Sequence, residues 1–316
     1  MAIALVAGGA GFLGSHLCDL LIADGHQVIA VDNFVTGSRE NVAHLQGHER
    51  FRLIEHDVIE PLNATADVLF HLASPASPRD FDTLPEEIMW ANVIGTRNLC
   101  DLARANGAHL LFTSTSEIYG DPLVHPQVET YNGNVNPTGP RACYDEAKRF
   151  GETLVMSRRR TDKINARIVR IFNTYGPRMR LGDGRMSVEF IRRALDGEPL
   201  PISGDGTKTR SLCYVSDLVE GIKRAMFTPN TDGQVFNLGS PDEHTVEYYA
   251  RLVIELAGSS STVEYLPERP DDPSQRRPDT TRARTILDWT PTVSQREGLA
   301  RTIAWYREQH AVAASS

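Results

Sequence analysis

The chain has 316 residues, 41% of them hydrophobic, enough for one large α/β domain with a smaller lobe. A net charge of −8 gives no general basic field, which excludes nucleic acid as a partner and leaves any anionic ligand to local arginine clusters. No apolar run approaches a membrane span, and Cys18, Cys100, Cys143 and Cys213 show no CxxC or metal-ligand spacing, which predicts reduced thiols, no metal site and a cytoplasmic protein.

The apolar run Ile3 to Ala7 predicts a buried strand, the glycine-rich stretch after it a turn, and Ser15 to Asp24 the first helix, stopped by Gly25. A second strand over Gln27 to Val31 ends at Asp32. Further apolar strands fit Phe51 to Ile54, Val68 to His71, His109 to Thr113 and Ala166 to Phe172, with helices over Glu86 to Ala105 and Tyr144 to Arg159. Short apolar strands alternating with helices predict an α/β fold whose parallel sheet is covered on both faces. After Thr174, closely spaced Pro and Gly break the chain into short pieces, and the segment from Tyr214 to Asn237 is expected to return to the main sheet.

Two local patterns carry chemistry. The turn holds Gly8, Gly9, Gly11 and Gly14; small residues admit a pyrophosphate to the backbone, and the following helix aims its first amides at the anion. Asp32, at the end of the next strand, can accept from both ribose hydroxyls and would repel a 2′-phosphate, which favours NAD over NADP; Arg39 nearby is the residue that would argue otherwise. Asp57, beside Val58, either meets the adenine amino group or caps a strand end. The second pattern is Tyr144 with Lys148, a phenol and an ammonium on one helix face, where the ammonium can stabilise phenolate and the phenolate can take an alcohol proton.

The segments Gly8–Leu17, His71–Pro78, Ser114–Pro122, Gly139–Arg149, Arg170–Met179 and Tyr214–Leu218 resemble the extended short-chain dehydrogenases/reductases, and among these the UDP-glucuronate decarboxylase family. The glycine turn, the Tyr/Lys pair and TyrGlyPro at 175–177 mark the whole superfamily; the stretches at 74–78, 139–146 and 271–279 are narrower. Two stretches depart from the family's pattern: Arg79 to Phe81, where ProAsnTyr is more usual near the sugar, and Arg180 with Leu181, close to the substrate. The resemblance implies a Rossmann doubly wound parallel sheet with a smaller C-terminal substrate-binding lobe. An NAD-binding domain would span 1–175 and be rejoined at about 213–239, with 176–316 mostly the UDP-sugar-binding lobe. It also implies a homodimer through the helices 86–105 and 144–159, with Met89, Val93 and Met156 buried between copies.

By the same resemblance, NAD is held by Gly8, Gly11, Phe12, Leu13, Gly14, Asp32, Asn33, Asp57, Val58, Leu72, Ala73, Ser74, Tyr144, Lys148 and Phe172. Tyr144 is the base for the C4 hydroxyl of UDP-glucuronate, Lys148 lowers its pKa and holds the nicotinamide ribose, and Thr115 hydrogen-bonds the C4 oxygen. Ser116 stands where the related dehydratases carry an acid that expels the C6 hydroxyl, and Glu117 is suited to positioning or relaying a proton at C5. Arg276 lies opposite that Glu, near the sugar carboxylate; Arg210 and Asn173 contact the diphosphate, and Arg178 serves either the diphosphate or the fold. The implied reaction is oxidation at C4, loss of the C6 carboxylate as carbon dioxide and re-reduction to UDP-xylose. A UDP-glucuronate 4-epimerase would use the same Tyr144 and Lys148, with Arg180 clamping the carboxylate against loss, and a non-catalytic NAD-binding regulator is a third reading.

Overall fold

A computed structural model describes residues 1–182, 184–268, 273 and 275–315, with side chains beyond 309 left aside. Of the stretch 271–279, Asp271, Asp272 and Ser274 lie outside the described residues. One seven-stranded sheet organises the chain, in the order Val235–Leu238, Asn165–Ile171, His109–Thr115, Val68–His71, Ile3–Ala7, Gln27–Asp32 and Phe51–Glu55. Each neighbouring pair is parallel, for example Ala4 beside both Val28 and Val68. The central strands are buried on both faces because helices cover both sides, which is why they read as unbroken apolar runs.

The core accordingly divides at the sheet. Leu17, Leu21, Leu218 and Ile222 belong to the apolar cluster on one side, Leu99, Cys100 and Val155 to the cluster on the other. The chain leaves Ile3–Ala7 towards Phe51–Glu55 and then crosses back to Val68–His71, so the strand order reverses between Ile3–Ala7 and Val68–His71. That reversal opens a crevice at the carboxyl ends of the strands, where ligands of such sheets bind. The last strand, Val235–Leu238, joins the main sheet beside Asn165–Ile171, as expected of the returning segment.

The remaining pieces frame the other wall. Leu200–Ser203 pairs with Val263–Leu266, and Thr209–Ser211 pairs with Glu243–Thr245; helix Met186–Asp196 packs on helix Val246–Ala257. Several sequence-based boundaries shift, such as the helix expected over Tyr144 to Arg159, which runs Ala142–Asp162, and two shifts have a local cause. The first helix begins at Phe12 rather than Ser15, because Gly11 is the extended residue at its start and Phe12 to Gly14 already form its first turn. The predicted helix 86–105 is three joined pieces, Pro85–Trp90, a π-helical turn Ala91–Gly95 and Thr96–Asn106. Gly95 abuts Val58 so closely that a Cβ there would lie 2.7 Å from a Val58 methyl. Among the described residues no helix is long and apolar enough to cross a membrane.

Candidate active site

A cleft of about 1100 Å³ runs along the carboxyl ends of the strands and between them and the C-terminal pieces. Its first half is made by backbone. Gly8 has φ of +81°, and a Cβ on it would lie 2.8 Å from the Ala73 nitrogen, so the turns after two adjacent strands approach as only glycine allows. Gly14 starts the helix against that turn: its Cβ would fall 1.9 Å from the Gly8 carbonyl oxygen. Gly11, Phe12 and Leu13 line the cleft where that helix begins, so an anion bound there would meet its first amides and the positive end of the helix dipole.

Asp32 closes this half. Its carboxylate accepts from the Ala10 and Phe34 amides at 2.9 Å each, and burial raises its pKa against the opposing effect of those amides. Arg39 is turned away to pair with Glu55 and lies over the Phe34 ring, so the nearby cation that would have welcomed a 2′-phosphate is engaged elsewhere. Asn33 donates to Asp57 at 2.9 Å, and Asp57, just past the Phe51–Glu55 strand, also caps the turn through the Ile59 amide. Val58, Leu72, Ala73, Ser74 and Phe172 complete the lining. A cradle that a Cβ would fill, the amides at a helix start and a buried carboxylate at the end of the next strand fit a dinucleotide such as NAD.

At the junction of the two halves stand Thr115, Tyr144 and Lys148. Thr115 ends its strand; Tyr144 and Lys148 are one turn apart on helix Ala142–Asp162. Gly151 lets this helix settle on Phe112, since a Cβ there would meet the ring at 2.5 Å. Tyr144 and Thr115 line the cleft together, and burial pushes the phenol up to about 12. Lys148 donates to the Thr113 carbonyl at 2.8 Å, and burial pulls its ammonium down to about 7. The ammonium lies 5.8 Å from the Tyr144 ring centroid. In the protein alone, desolvation therefore outweighs any help Lys148 gives, and Tyr144 is a neutral phenol; the expected lowering of its pKa is absent from this state.

The second half is made by side-chain charge. Glu117 sits in the short helical turn Ser116–Tyr119, two residues past Thr115, whose hydroxyl accepts from its amide at 3.2 Å. Arg276 grips the Glu117 carboxylate with both terminal nitrogens, and Arg141 adds a third contact at 2.6 Å. Burial alone would raise this carboxyl, but Arg276 and Arg141 overcome it and hold Glu117 down to about 2. Glu117 is thus held as a carboxylate by two guanidiniums.

All the other expected substrate residues line the same cleft. Arg178 donates to Asp19 on the first helix at 2.7 Å while lining the cleft. Arg180 donates to Asp80 at 2.5 Å, and Arg210, in strand Thr209–Ser211, is buried and donates to the Thr209 carbonyl at 2.8 Å. The Asn173 carbonyl accepts from the Cys213 amide at 2.9 Å.

Three groups escaped the sequence reading. Arg141 was legible only as part of a motif, Asp80 only as part of a departure from one. Asp145, next to Tyr144, is buried; burial first and the charge of Glu117 second raise its carboxyl to about 8. Each acquires its meaning from a partner far along the chain, which no local spacing signals.

Comparison with known proteins follows the same outline. The model of the NAD dependent epimerase/dehydratase family matches residues 4–239. A protein of Xenopus tropicalis named UDP-glucuronic acid decarboxylase 1 is 50% identical over 305 residues, covering 96% of this chain and 72% of its own length. UDP-glucuronic acid decarboxylase 5 of Arabidopsis thaliana is 51% identical over 296 residues, 93% of this chain and 86% of its own. Among solved structures, UDP-glucuronic acid 4-epimerase of Bacillus cereus, in complex with UDP-glucuronic acid and NAD, superposes with a TM-score of 0.87 at 28% identity, over 97% of this chain and 99% of that one.

Proposed function

Since the chain belongs to the NAD dependent epimerase/dehydratase family, we infer from that premise and from its cleft that it is a UDP-glucuronate decarboxylase that uses NAD and forms UDP-xylose. The observation that carries the reading is the junction, in one cleft, of Thr115, Tyr144 and Lys148 with a Glu117 carboxylate locked between Arg141 and Arg276. The first suits an alcohol and the second suits the neighbourhood of an acid. Relatives at half identity that carry the decarboxylase name support the same conclusion, whereas the epimerase structure is a more distant likeness.

Bound NAD, held by the glycine turn, Asp32 and Lys148, would supply a hydride acceptor and donor for C4 of the sugar. With cofactor and sugar bound, Tyr144 acts as the phenolate that the Lys148 ammonium stabilises and takes the proton of the C4 hydroxyl, while Thr115 holds the same sugar oxygen in place. A ketone at C4 is β to the C6 carboxylate, so the C5–C6 bonding pair can pass onto the C4 oxygen as carbon dioxide leaves. Thr115 and Tyr144 then stabilise that oxygen. Glu117 keeps Arg141 and Arg276 in register beside C5 and C6, and water in the cleft returns the proton to C5. Ser116 has no acid to offer a C6 leaving group, which separates this site from dehydration. Asn173 and Arg210 are assigned to the diphosphate.

We assign residues 1–175 and 213–239 to the cofactor side and most of 176–316 to the UDP-sugar side. Homodimerisation through the helices 85–106 and 142–162 is supported by Trp90 and Phe150, exposed at 45% and 50%, and by the half-buried Met89, Val93 and Met156. The four cysteines are all free thiols, which supports a reducing, cytoplasmic setting. Incubation with UDP-glucuronate and NAD tests the reading: product masses should show loss of carbon dioxide to UDP-xylose. An isomer of unchanged mass would replace it with 4-epimerisation.

A further inference from the structure

We propose that Asp80 is a positioning residue that withholds Arg180 from the substrate's carboxylate and thereby keeps the site free to decarboxylate. The proposal rests on the decarboxylase reading above and adds a residue that decides what happens after oxidation.

Asp80 is buried in the short helix Pro78–Thr83, on the wall of the cleft. The next residue, Phe81, lays its ring on that of Tyr144, with centroids 5.3 Å apart and planes at 21°. Arg180, whose side chain is 42% exposed, reaches across the cleft wall to Asp80 at 2.5 Å and to the Ser77 hydroxyl at 3.4 Å. A second tie runs beside it, from Arg79 to the Gly182 carbonyl at 3.2 Å. The two stretches that depart from the family pattern are therefore bound to each other, close to the reacting tyrosine.

The chemistry gives that tie a consequence. When the C5–C6 bond breaks, its electron pair moves to the C4 oxygen and the carboxylate leaves as neutral carbon dioxide. A guanidinium that grips the carboxylate stabilises the ground state and loses its partner as the transition state forms, so it slows the step. Arg141 and Arg276 are already held by Glu117. Arg180 is held by Asp80, whose negative charge satisfies it from the protein side. Without that charge, the sugar's C6 carboxylate becomes the better partner for Arg180.

The test compares wild type, Asp80→Asn and Asp80→Asn/Arg180→Gln, each loaded with NAD. Dissociation constants are measured for UDP-glucuronate and for UDP-xylose, which lacks the carboxylate, and carbon dioxide release is followed at saturating UDP-glucuronate. Asp80→Asn should raise the preference for UDP-glucuronate over UDP-xylose by about tenfold, the worth of one charge-assisted contact, and lower kcat by about as much while KM falls. The double variant should reverse both changes. A preference within twofold of wild type in Asp80→Asn, or a double variant as slow as the single, overturns the proposal, since a merely structural role would weaken both nucleotides alike. If Asp80→Asn does not fold, Asp80→Ser takes its place, and failure of both makes Asp80 structural and the proposal wrong. Should wild type release no carbon dioxide, the decarboxylase reading falls, while the nucleotide preference still decides what Asp80 does to Arg180.

Discussion

On the cofactor side of the cleft the glycine turn and the ribose carboxylate lie within a short stretch of chain, Gly8 to Asp32, and most of their geometry is backbone. On the sugar side Glu117 meets Arg276 from 159 residues away, and Asp80 meets Arg180 from 100. The cofactor side is fixed by contacts that leave no room for a single added methyl. The sugar side is fixed by charges that any neutral substitution rebalances. One side is therefore suited to serve many reactions unchanged, the other to choose among them.

The residue that joins the two sides should show the largest effect. Tyr144→Phe keeps the ring stacked on Phe81 and loses the proton acceptor, so hydride transfer and carbon dioxide release should fall together by roughly 10²–10⁴. Absorbance of the reduced nicotinamide in a single turnover reads this; a normal signal would remove Tyr144 from the redox step.

Next comes a stability effect of opposite sign. The Lys148 ammonium sits buried with its folded pKa near 7, below the 10.5 of the exposed group, so the unfolded chain binds the extra proton between those values. Wild-type stability should therefore rise as pH climbs from 7 to 10.5. Lys148→Met removes the cost, and denaturation of cofactor-free protein should show a gain on the order of 3 kcal/mol at or below neutral pH that vanishes in strong alkali. Activity is lost at the same time. A variant less stable than wild type at pH 7 would show that Lys148 supports the fold instead.

The smallest of these effects lies on the cofactor side alone. Gly14→Ala places a Cβ 1.9 Å from the Gly8 carbonyl, so the turn must move, at a cost of about 1–3 kcal/mol in NAD affinity. UDP-sugar binding, measured calorimetrically, should hold. Equal losses for both ligands would mean that the two sides are not separable.

The same contrast explains what could be read from sequence. The strands were legible because burial on both faces makes them continuous apolar runs, and the glycine turn with Asp32 because strand, turn and carboxylate follow one another in order. Tyr144 and Lys148 were legible because one helical turn separates them. The π-helical turn at Ala91–Gly95 was not, since its apolar pattern is that of any helix. Nor was the state of Glu117: the residue stood out beside Thr115, but its conversion into a fixed carboxylate depends on Arg141 and Arg276, which only the fold brings together. Arg178 could be assigned to ligand or fold from sequence alike, and it both lines the cleft and pairs with Asp19.

Glu117→Gln tests the separation of oxidation from carbon–carbon cleavage most directly. The substitution keeps size and removes the charge that two guanidiniums share, so unfolding free energy should fall by about 3–5 kcal/mol if no anion replaces it. In a single turnover of the folded variant with UDP-glucuronate, reduced nicotinamide should still form while carbon dioxide and UDP-xylose appear more slowly by roughly 10²-fold, the scale of a misplaced reacting group. Carbon dioxide released at the wild-type rate, or reduced nicotinamide lost in proportion to it, would contradict the account.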